Sequence, residues 1–327
     1  MIYLETNSTD PYYNLAFEEF VFSRMDRSEQ YFMLWQNSNT IVVGRFQNTA
    51  EEINAKFVQE HGIRVARRLS GGGAVYHDMG NLNFTFIVDQ DGYPDFNFKV
   101  FVEPVIQTLK ELGVCAEFNG RNDLTINGQK FSGNSQYVKK GRILHHGCIM
   151  LDSNLADVAQ ALQVREAKFS SKSIKSVRSR VTTINRHTTS PVDMATFKAC
   201  LIRHSIQSGS LKPGSLTDAQ LAEIRRLRDE KYATWEWNYG SSPFYEMRRE
   251  KKFESGLVTV LLQAKGEQIN NIKFYGDFFG NGTLSELEQG LVGTPLTLEL
   301  EQRLEDLNLN WYIQGVSAKE LTELLLY

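Results

Sequence analysis

The chain has 327 residues, of which 41% are hydrophobic and 23% are charged, so its composition is that of a globular protein. This composition excludes disordered, collagenous and coiled-coil chains. The 36 basic and 39 acidic side chains give a net charge of −3, which leaves no overall positive field to hold nucleic acid.

Cysteine usage and the order of the first charged residues indicate the compartment. Three cysteines are too few for a disulfide framework and fit a reducing environment. Glu5 and Asp10 precede the first basic residue, Arg24, whereas a secretory signal begins with basic residues and continues with an apolar core. Apolar runs such as 257–262 are only as long as strands. We therefore expect a soluble, cytoplasmic protein that binds neither membranes nor nucleic acid.

Strand-like and helix-like runs alternate along the whole chain, which is typical of α/β and α+β proteins. In the first half, aromatic and β-branched runs predict strands, and apolar residues at helical spacing predict helices. The predicted strands cover 2–5, 31–35, 40–43 and 82–88, and the predicted helices cover 14–25, 51–61 and 101–112. Asn127-Gly128 between two strand-like runs predicts a type I′ hairpin.

The second half continues the same alternation and contains one break. Residues 142–151 predict a strand on which His145 and His146 point to opposite faces, so the two histidines cannot share one metal ion. Capping boxes at Thr217 and Ser317 each predict a helix. Near residue 245 the pattern breaks, and we expect a domain of residues 1–245 and a smaller one of residues 246–327. The smaller domain is predicted to contain strands 257–264 and 271–275 and helices near 285–292, 295–307 and 317–326.

Several common catalytic motifs are missing from the sequence. It contains no Gly-Lys dipeptide and hence no Walker A loop, and it lacks G-x-G-x-x-G, H-E-x-x-H, C-x-x-C and G-x-S-x-G. The usual nucleotide kinases, NAD enzymes, zinc proteases and serine hydrolases are therefore unsupported.

The glycine-rich run at 67–81 is the most distinctive segment. Two arginines and three consecutive glycines lie between predicted strands. Glycines let a backbone approach a ligand closely and turn its N–H groups towards an anion, and arginine suits phosphate. A tight solvent-facing turn would use glycines equally well, but the flanking arginines, Ser70, His77 and Asp78 favour a loop over a nucleotide phosphate.

Charged residues mark two further candidates. Asp123 and Lys130 lie on the two arms of the predicted hairpin, where they would offer a carboxylate to hydrated Mg²⁺ and an ammonium to phosphate. Taken alone, the pair fits an ordinary exposed ion pair better. Six basic residues and one acidic residue between Arg165 and Arg180 predict a mobile loop, which would close over a phosphate or dock an acidic partner, or remain a solvated charge run.

In these motifs the chain resembles the lipoate–protein ligase A family of the biotin/lipoate ligase superfamily. The resembling segments are 14–19 (Asn-Leu-Ala-Phe-Glu-Glu), 67–81, 120–124, 130–133, 145–147 and 176–181. The resemblance implies an α+β fold. A large mixed and antiparallel sheet would form the ligase domain, and a small C-terminal α/β accessory domain would follow it.

The resemblance also implies an activity and a site. Lipoate and ATP, with Mg²⁺, would give lipoyl-AMP and pyrophosphate, and the lipoyl group would pass to a lysine of an apo lipoyl domain. The acceptors would be E2 subunits of 2-oxoacid dehydrogenases or the glycine cleavage H protein. Lys130 would be the catalytic cation. The implied ATP contacts are Arg68, Gly73, Ala74, Val75, Tyr76 and Lys130, and the implied lipoyl-adenylate contacts are Ser70, His77, Lys130 and His146. Asn122 would lie near phosphate, and Asp123 near Mg²⁺.

One departure and two alternatives accompany the resemblance. Cys148 stands where the family usually has Thr, which puts a hydrogen bond from this position in doubt. An octanoyl transferase would use Cys115 or Cys148 as a thioester nucleophile, but such an enzyme needs no nucleotide. A non-catalytic ligand-binding regulator would need a DNA-reading module, and the sequence offers no basic recognition helix for one.

Overall fold

The computed structural model describes residues 1–91, 97–162, 180–205, 211–239, 247–265 and 268–326. The chain divides into two compact units. The first unit contains Met1–Val42, Ile53–Arg67 and Val75–Asn238, and the second contains Val43–Glu52, Arg68–Ala74 and Tyr239–Tyr327. The predicted boundary near residue 245 lies outside the described residues.

The largest sheet in the described part of the chain has eight strands and belongs to the first unit. Its first two neighbouring pairs, β11–β1 and β1–β2, are parallel, and the pairs after them are antiparallel. In spatial order the strands are β11 (Lys212–Pro213), β1 (Ile2–Glu5), β2 (Tyr31–Trp35), β6 (Asn81–Asp89), β10 (Arg142–Met150), β9 (Gln129–Lys139), β8 (Asp123–Ile126) and β7 (Glu117–Phe118). A smaller sheet has the order β4 (Arg64–Arg67), β3 (Thr40–Val43) and β5 (Val75–His77).

Strand β6 is buried on both faces because helices cover both sides of the sheet. Its apolar face, which contains Leu82, Phe84, Phe86 and Val88, packs in a core with residues of α4 (Lys99–Glu111) and α6 (Met194–His204). Its other face carries Asn83 and Thr85, and α1 (Pro11–Arg24) lies against it. The sheet therefore has a dry apolar face and a buried polar face.

The helices begin and end where capping groups allow. Helix α1 starts at Pro11, before the predicted Asn14, because the Asp10 carboxylate accepts the Tyr12 N–H. The predicted single helix 51–61 is wrong, since the chain forms α2 (Thr49–Glu52) and α3 (Ala55–Glu60). The break has one distant cause and one local cause: Ile53 forms a bridge with Leu162, and the Asn54 side chain caps α3 by accepting from Phe57 N–H. The remaining α-helices in the described part of the first unit are α5 (Leu155–Ala161), α7 (Asp218–Leu227) and α8 (Trp235–Asn238).

The second unit contains a three-stranded antiparallel meander covered by helices. Its strands are β12 (Met247–Phe253), β13 (Gly256–Lys265) and β14 (Gln268–Gly276). Strand β12 was not predicted from the sequence, because it is an edge strand with mostly charged, exposed side chains and no apolar alternation. Its helices are α9 (Leu284–Leu291), α10 (Glu299–Asp306), α11 (Leu309–Tyr312) and α12 (Ala318–Leu326). The two units together confirm the predicted α+β class and the small C-terminal α/β part.

Residues from the first quarter of the chain complete the second unit. The ring of Phe46 stacks on Phe278 with centroids 5.1 Å apart, and Gly276 N–H donates to Phe46 O over 2.8 Å. Phe46 is buried in the same apolar cluster as the C-terminal strands. Within the described ranges, none of the helices combines the length and the hydrophobicity that crossing a bilayer would require.

Candidate active site

Two buried polar residues on α1 face the polar side of the large sheet. Asn14 and Glu18 are four residues apart and therefore share one face of the helix. Both are almost completely buried among apolar neighbours of the same helix. A buried carboxylate needs hydrogen-bond partners, and the sheet provides them.

Glu18 joins two strands through a hydrogen-bonded chain. Its Oε1 accepts from Thr85 Oγ1 over 2.7 Å and lies 2.8 Å from His146 Nδ1. Thr85 Oγ1 in turn accepts from Trp35 Nε1 over 3.0 Å. Because an ionised carboxylate only accepts, this contact places a proton on His146 Nδ1 and sets the ring orientation.

His77 is held by a parallel set of contacts in the same unit. Asn37 Nδ2 lies 3.2 Å from His77 Nδ1, and the Asn14 amide donates to Asn37 Oδ1 over 2.9 Å. The His77 ring also meets Trp35 edge-on, with centroids 6.3 Å apart. Asn14 and Glu18 thus fix two candidate histidines from one helix face.

His145 occupies the apolar face of the sheet, as its alternation with His146 predicts. Its ring stacks on Phe101 with centroids 4.7 Å apart, and Gln136 Nε2 lies 3.0 Å from its Nδ1. Burial, followed by the nearby charge of His146, holds the pKa of His145 well below its ordinary value. This neutral core histidine packs away from the polar face.

The predicted hairpin is present, and an irregularity in it decides where Lys130 points. Asn127 and Gly128 have φ of 52° and 76°, as a type I′ turn requires. Asp123 pairs with Gly133, but two residues further along β8, Thr125 pairs with Lys130. One extra residue on β9 therefore lies between these pairs. As Asp123 and Thr125 share a face, this bulge puts Lys130 on the same face as Gly133.

Lys130 and Asp123 form a partly exposed ion pair. The Lys130 Nζ lies 2.7 Å from Asp123 Oδ1, with 35% and 23% of the two side chains exposed. A Cβ at Gly133 would lie 3.0 Å from Lys130 Nζ, so the missing side chain leaves space for the ammonium. The Lys130 backbone is held on its second side by Arg180 and Thr182, through bonds of 2.7 and 2.9 Å.

The neighbours of this pair complete the exposed end of the polar face. Gly133 pairs with Cys148 across the strands, and Cys148 is two residues from His146 on the same side of β10. The half-buried Cys148 Sγ lies 3.7 Å from Gly133 O, so this position does form a hydrogen bond. Asn122 turns its amide onto Asn134 O over 3.0 Å, directly beside Asp123.

Residues Arg68–Ala74 of the glycine-rich run belong to the second unit, where Arg68 stabilises the loop from inside. Its Nη2 donates to Gly71 O over 2.6 Å and to Gly73 O over 2.9 Å, and its Nε donates to Ser70 Oγ over 3.1 Å. Arg68 and Ser70 are both buried. The guanidinium predicted to contact ATP therefore contacts its own loop in this structure.

The three glycines of the loop differ in what surrounds them. A Cβ at Gly71 would lie 2.3 Å from Phe278 O, and Gly72 has φ +88° and donates its N–H to Phe278 O over 3.3 Å. A Cβ at Gly73 would meet no atom of the described residues within 4 Å, so its backbone can be approached closely. Gly71 and Gly72 serve packing, whereas Gly73 offers open space.

The predicted nucleotide contacts are divided between the units. Arg68, Gly73 and Ala74 lie in the second unit, whereas Val75, Tyr76 and Lys130 lie in the first. Burial raises the pKa of Tyr76 to about 12, and its hydroxyl donates to Asn39 Oδ1 over 2.9 Å. The basic segment with Lys168, Lys172, Lys175 and Arg178 lies outside the described residues.

The structure adds residues that sequence reasoning missed. Glu18, Thr85 and Trp35 orient His146, and Asn14 with Asn37 supports His77. The signal in the sequence was the spacing of Asn14 and Glu18, which are polar residues four apart among the apolar residues of the buried helix face.

Comparison with known proteins shows the family and agrees with the fold. The family described as "Lipoyl protein ligase A/B catalytic domain" matches residues 10–206, and the one described as "Bacterial lipoate protein ligase C-terminus" matches residues 242–325. Lipoate–protein ligase 1 of Staphylococcus aureus is 43% identical over 320 residues, which cover 98% of each chain.

Solved structures give the same result. P. falciparum LipL1 in complex with lipoate superposes with a TM-score of 0.81 at 22% identity, covering 99% of both chains, and supports the fold. A lipoate–protein ligase A bound with ATP superposes with a TM-score of 0.63 at 26% identity, covering 73% of this chain and 97% of that one. These findings define an enzyme of the ligase class. The chain belongs to the lipoate–protein ligase family.

Proposed function

We propose that this protein activates lipoate with ATP to give lipoyl-AMP and pyrophosphate, and then transfers the lipoyl group to a lysine of a lipoyl domain. The observation that carries the proposal is the Lys130–Asp123 pair, held by a bulged hairpin on the polar face that also presents His146. The ATP-bound structural relative and the family membership support the choice of nucleotide and acyl group.

The chemistry needs a cation near the reacting carboxylate and phosphate. Lipoate's carboxylate is a poor acyl donor, and its mixed anhydride with AMP supplies a better leaving group. As the carboxylate attacks the α-phosphate and pyrophosphate leaves, negative charge develops that an aimed cation stabilises. The Lys130 ammonium is suited to this because its present ion pair is partly exposed and therefore weak.

The residues around Lys130 fit a hydrated Mg²⁺ with bound phosphates. Mg²⁺ in such sites takes one or two carboxylates, several waters and phosphate oxygens. Asp123 offers a partly exposed carboxylate, and Asn122 lies next to it. We assign Asp123 to Mg²⁺ and Asn122 to the vicinity of phosphate, and the ion would neutralise charge on the departing pyrophosphate.

The remaining assignments divide the site by ligand. We assign His77, Ser70 and His146 to the lipoyl-adenylate, and a dry apolar slot would exclude water from the anhydride. We assign ATP binding to Lys130 and to residues of the glycine-rich run, namely Arg68, Gly73, Ala74, Val75 and Tyr76. We also propose residues 1–245 as the ligase domain and 246–327 as the accessory domain, because the two family matches divide at 206–242.

A lipoylation assay tests the proposal directly. Purified protein, ATP, Mg²⁺, lipoate and an apo lipoyl domain should give a domain heavier by one lipoyl group, with one pyrophosphate released per transfer. An E2 domain and an H protein, tested in parallel, would identify the acceptor, and octanoate would test acyl preference. Transfer from an acyl thioester without ATP would contradict the proposal.

The cysteines provide a second test. The variant Cys115→Ser, Cys148→Ser should keep ligation, because an adenylate route uses no thioester. A folded double variant without transfer activity would instead support an acyltransferase. Cys200 is left unchanged in this test because it is buried in the core.

A further inference from the structure

Three side chains of types that commonly ligate metals lie close together where α4 and α6 meet. They are Glu111, the last residue of α4, and Cys200 and His204, which are four apart on α6. The carboxylate oxygen, thiol sulfur and imidazole nitrogen all lie within 4.8 Å of one another. None of the three belongs to the polar face that carries Lys130.

The contacts within this cluster explain its present geometry. His204 Nε2 lies 2.7 Å from Glu111 Oε2, while Arg203 forms an ion pair with the other carboxylate oxygen, Oε1. The Cys200 sulfur lies within 4.8 Å of a ligand oxygen of the same carboxylate. Arg203, His204 and Glu111 are sufficient for an ordinary surface ion pair. Such a pair does not explain why the buried Cys200 thiol lies beside them.

We infer that Cys200, His204 and Glu111 form a site for a thiophilic divalent cation, with Zn²⁺ the best match. Zn²⁺ takes sulfur, imidazole and carboxylate ligands in a tetrahedron, and a water would occupy the fourth position. Binding would release the Cys200 thiol proton to solvent, the imidazole would bind as a neutral ligand, and the Glu111 carboxylate is already ionised.

The geometry permits such binding with little rearrangement. Bond lengths of about 2.0–2.3 Å to zinc place tetrahedral ligand atoms roughly 3.4–3.8 Å apart. His204 Nε2 and Glu111 Oε2, which are 2.7 Å apart, would therefore separate slightly, and all three ligand atoms already lie within 4.8 Å of one another. Cys200 is 2% exposed and fixed in the core, whereas 30% of the His204 side chain and 45% of the Glu111 side chain are exposed. The two exposed ligands can therefore adjust around the fixed sulfur, and the ion can enter from solvent. Arg203 would keep Oε1 while Oε2 binds the metal.

A bound ion would cross-link the C-terminal ends of α4 and α6. These helices pack on the apolar face of the large sheet, so the cross-link would stabilise the first unit without contacting substrate. Because the ion binds the folded state, Zn²⁺ should raise the melting temperature in proportion to the logarithm of its free concentration.

Cobalt substitution tests the site in the untagged, full-length protein after chelator treatment. One equivalent of Co²⁺ should produce a thiolate-to-cobalt charge-transfer band, and Zn²⁺ should displace it. Cys200→Ser should abolish the band, and His204→Gln should weaken Co²⁺ binding by at least ~10-fold, since even outer-shell changes cost ~10–100-fold. The matched control is Cys115→Ser, an exposed cysteine of the same unit, which should keep the band.

The readouts separate a metal site from a structural ion pair. A wild-type protein without a thiolate band, or a band that survives Cys200→Ser or disappears in Cys115→Ser, would overturn the inference. If circular dichroism shows that Cys200→Ser does not fold, His204→Gln provides the test, because His204 is partly exposed. Stabilisation by Zn²⁺ should be lost in His204→Gln and retained in Cys115→Ser.

Discussion

Lys130 and Arg68 are both basic residues of the candidate site, but their charged groups have different surroundings. The Lys130 ammonium lies on a partly exposed face of a paired strand, whereas the Arg68 guanidinium is buried within the glycine-rich loop. On the hairpin, the backbone is satisfied on both sides and the ammonium forms a weak, partly exposed ion pair. In the loop, the guanidinium donates to Ser70 and to the carbonyls of Gly71 and Gly73. Two basic residues that look equally functional in the sequence therefore differ in how readily their charge can serve a ligand.

The difference follows from what each segment has to stabilise. A β-hairpin satisfies its own backbone through strand pairing, so its side chains are available for other contacts. A glycine-rich turn leaves carbonyls without such partners, and a buried carbonyl needs a donor. Arginine has five donors in a planar fork and can satisfy several carbonyls at once.

The largest expected effect is at Lys130. Lys130→Ala should lower the rate of adenylation by ~10²–10³-fold, because it removes the cation aimed at the developing charge. Lys130→Arg should fail to restore the rate, since a planar guanidinium cannot replace a compact ammonium above Gly133. Single-turnover transfer from supplied lipoyl-AMP should suffer less than the overall ATP-dependent reaction.

Lys139→Ala is the matched control, because Lys139 is an exposed lysine at the far end of the same strand. It should leave both half-reactions unchanged. Near-normal adenylation by folded Lys130→Ala, or a greater loss of transfer than of adenylation, would contradict the role given to Lys130.

On the loop side, two neighbouring glycines should respond differently. Gly73→Val has space for the side chain and should weaken ATP binding by at least ~10-fold while leaving the melting temperature unchanged, because it blocks close approach to the backbone. Gly72→Ala should instead lower the free energy of unfolding by about 1 kcal/mol, since its φ of +88° disfavours any Cβ. Calorimetric ATP titration and urea unfolding measure the two effects. If Gly73→Val binds ATP with wild-type affinity, the loop does not contact the nucleotide.

An effect smaller than that of Lys130→Ala is expected where a residue acts through His146. Glu18→Gln keeps the shape of the side chain but replaces the acceptor that sets the proton on Nδ1, so kcat should fall by ~10–100-fold through misorientation of the ring. Nitrogen NMR of His146 should show a changed tautomer. Glu60→Gln, at an exposed ion pair, is the control. An unchanged tautomer with full activity would leave Glu18 a purely structural residue.

The smallest effect concerns the apolar face, at His145. Its folded pKa is lowered, so below about pH 6.5 the unfolded chain binds more protons than the folded chain, and stability is lost as pH falls. Between pH 7.5 and 5.5 this contribution should reach about 1 kcal/mol. His145→Phe should reduce the acid loss by that amount in urea unfolding. The same pH dependence in wild type and variant would assign the acid sensitivity to other groups.

Local chemistry determined much of this protein from the sequence alone. The Asn127-Gly128 turn, the capping boxes at Thr217 and Ser317, and the opposite faces of His145 and His146 all appear as predicted. Each depends on backbone geometry within a few residues, which the residue types specify directly. Strand pairing across that turn also brought Asp123 and Lys130 together, as the hairpin prediction required.

Tertiary structure decided what depends on distant partners. The break in the predicted helix at Ile53 requires Leu162, the orientation of His146 requires Glu18 from 128 residues away, and the packing of Gly71 and Gly72 requires Phe278. The side of the sheet on which Lys130 lies depends on a single extra residue in β9. Sequence patterns report local conformation and burial, but hydrogen bonds and packing between remote segments arise only when the chain has folded, because neither partner carries a local signal of the other.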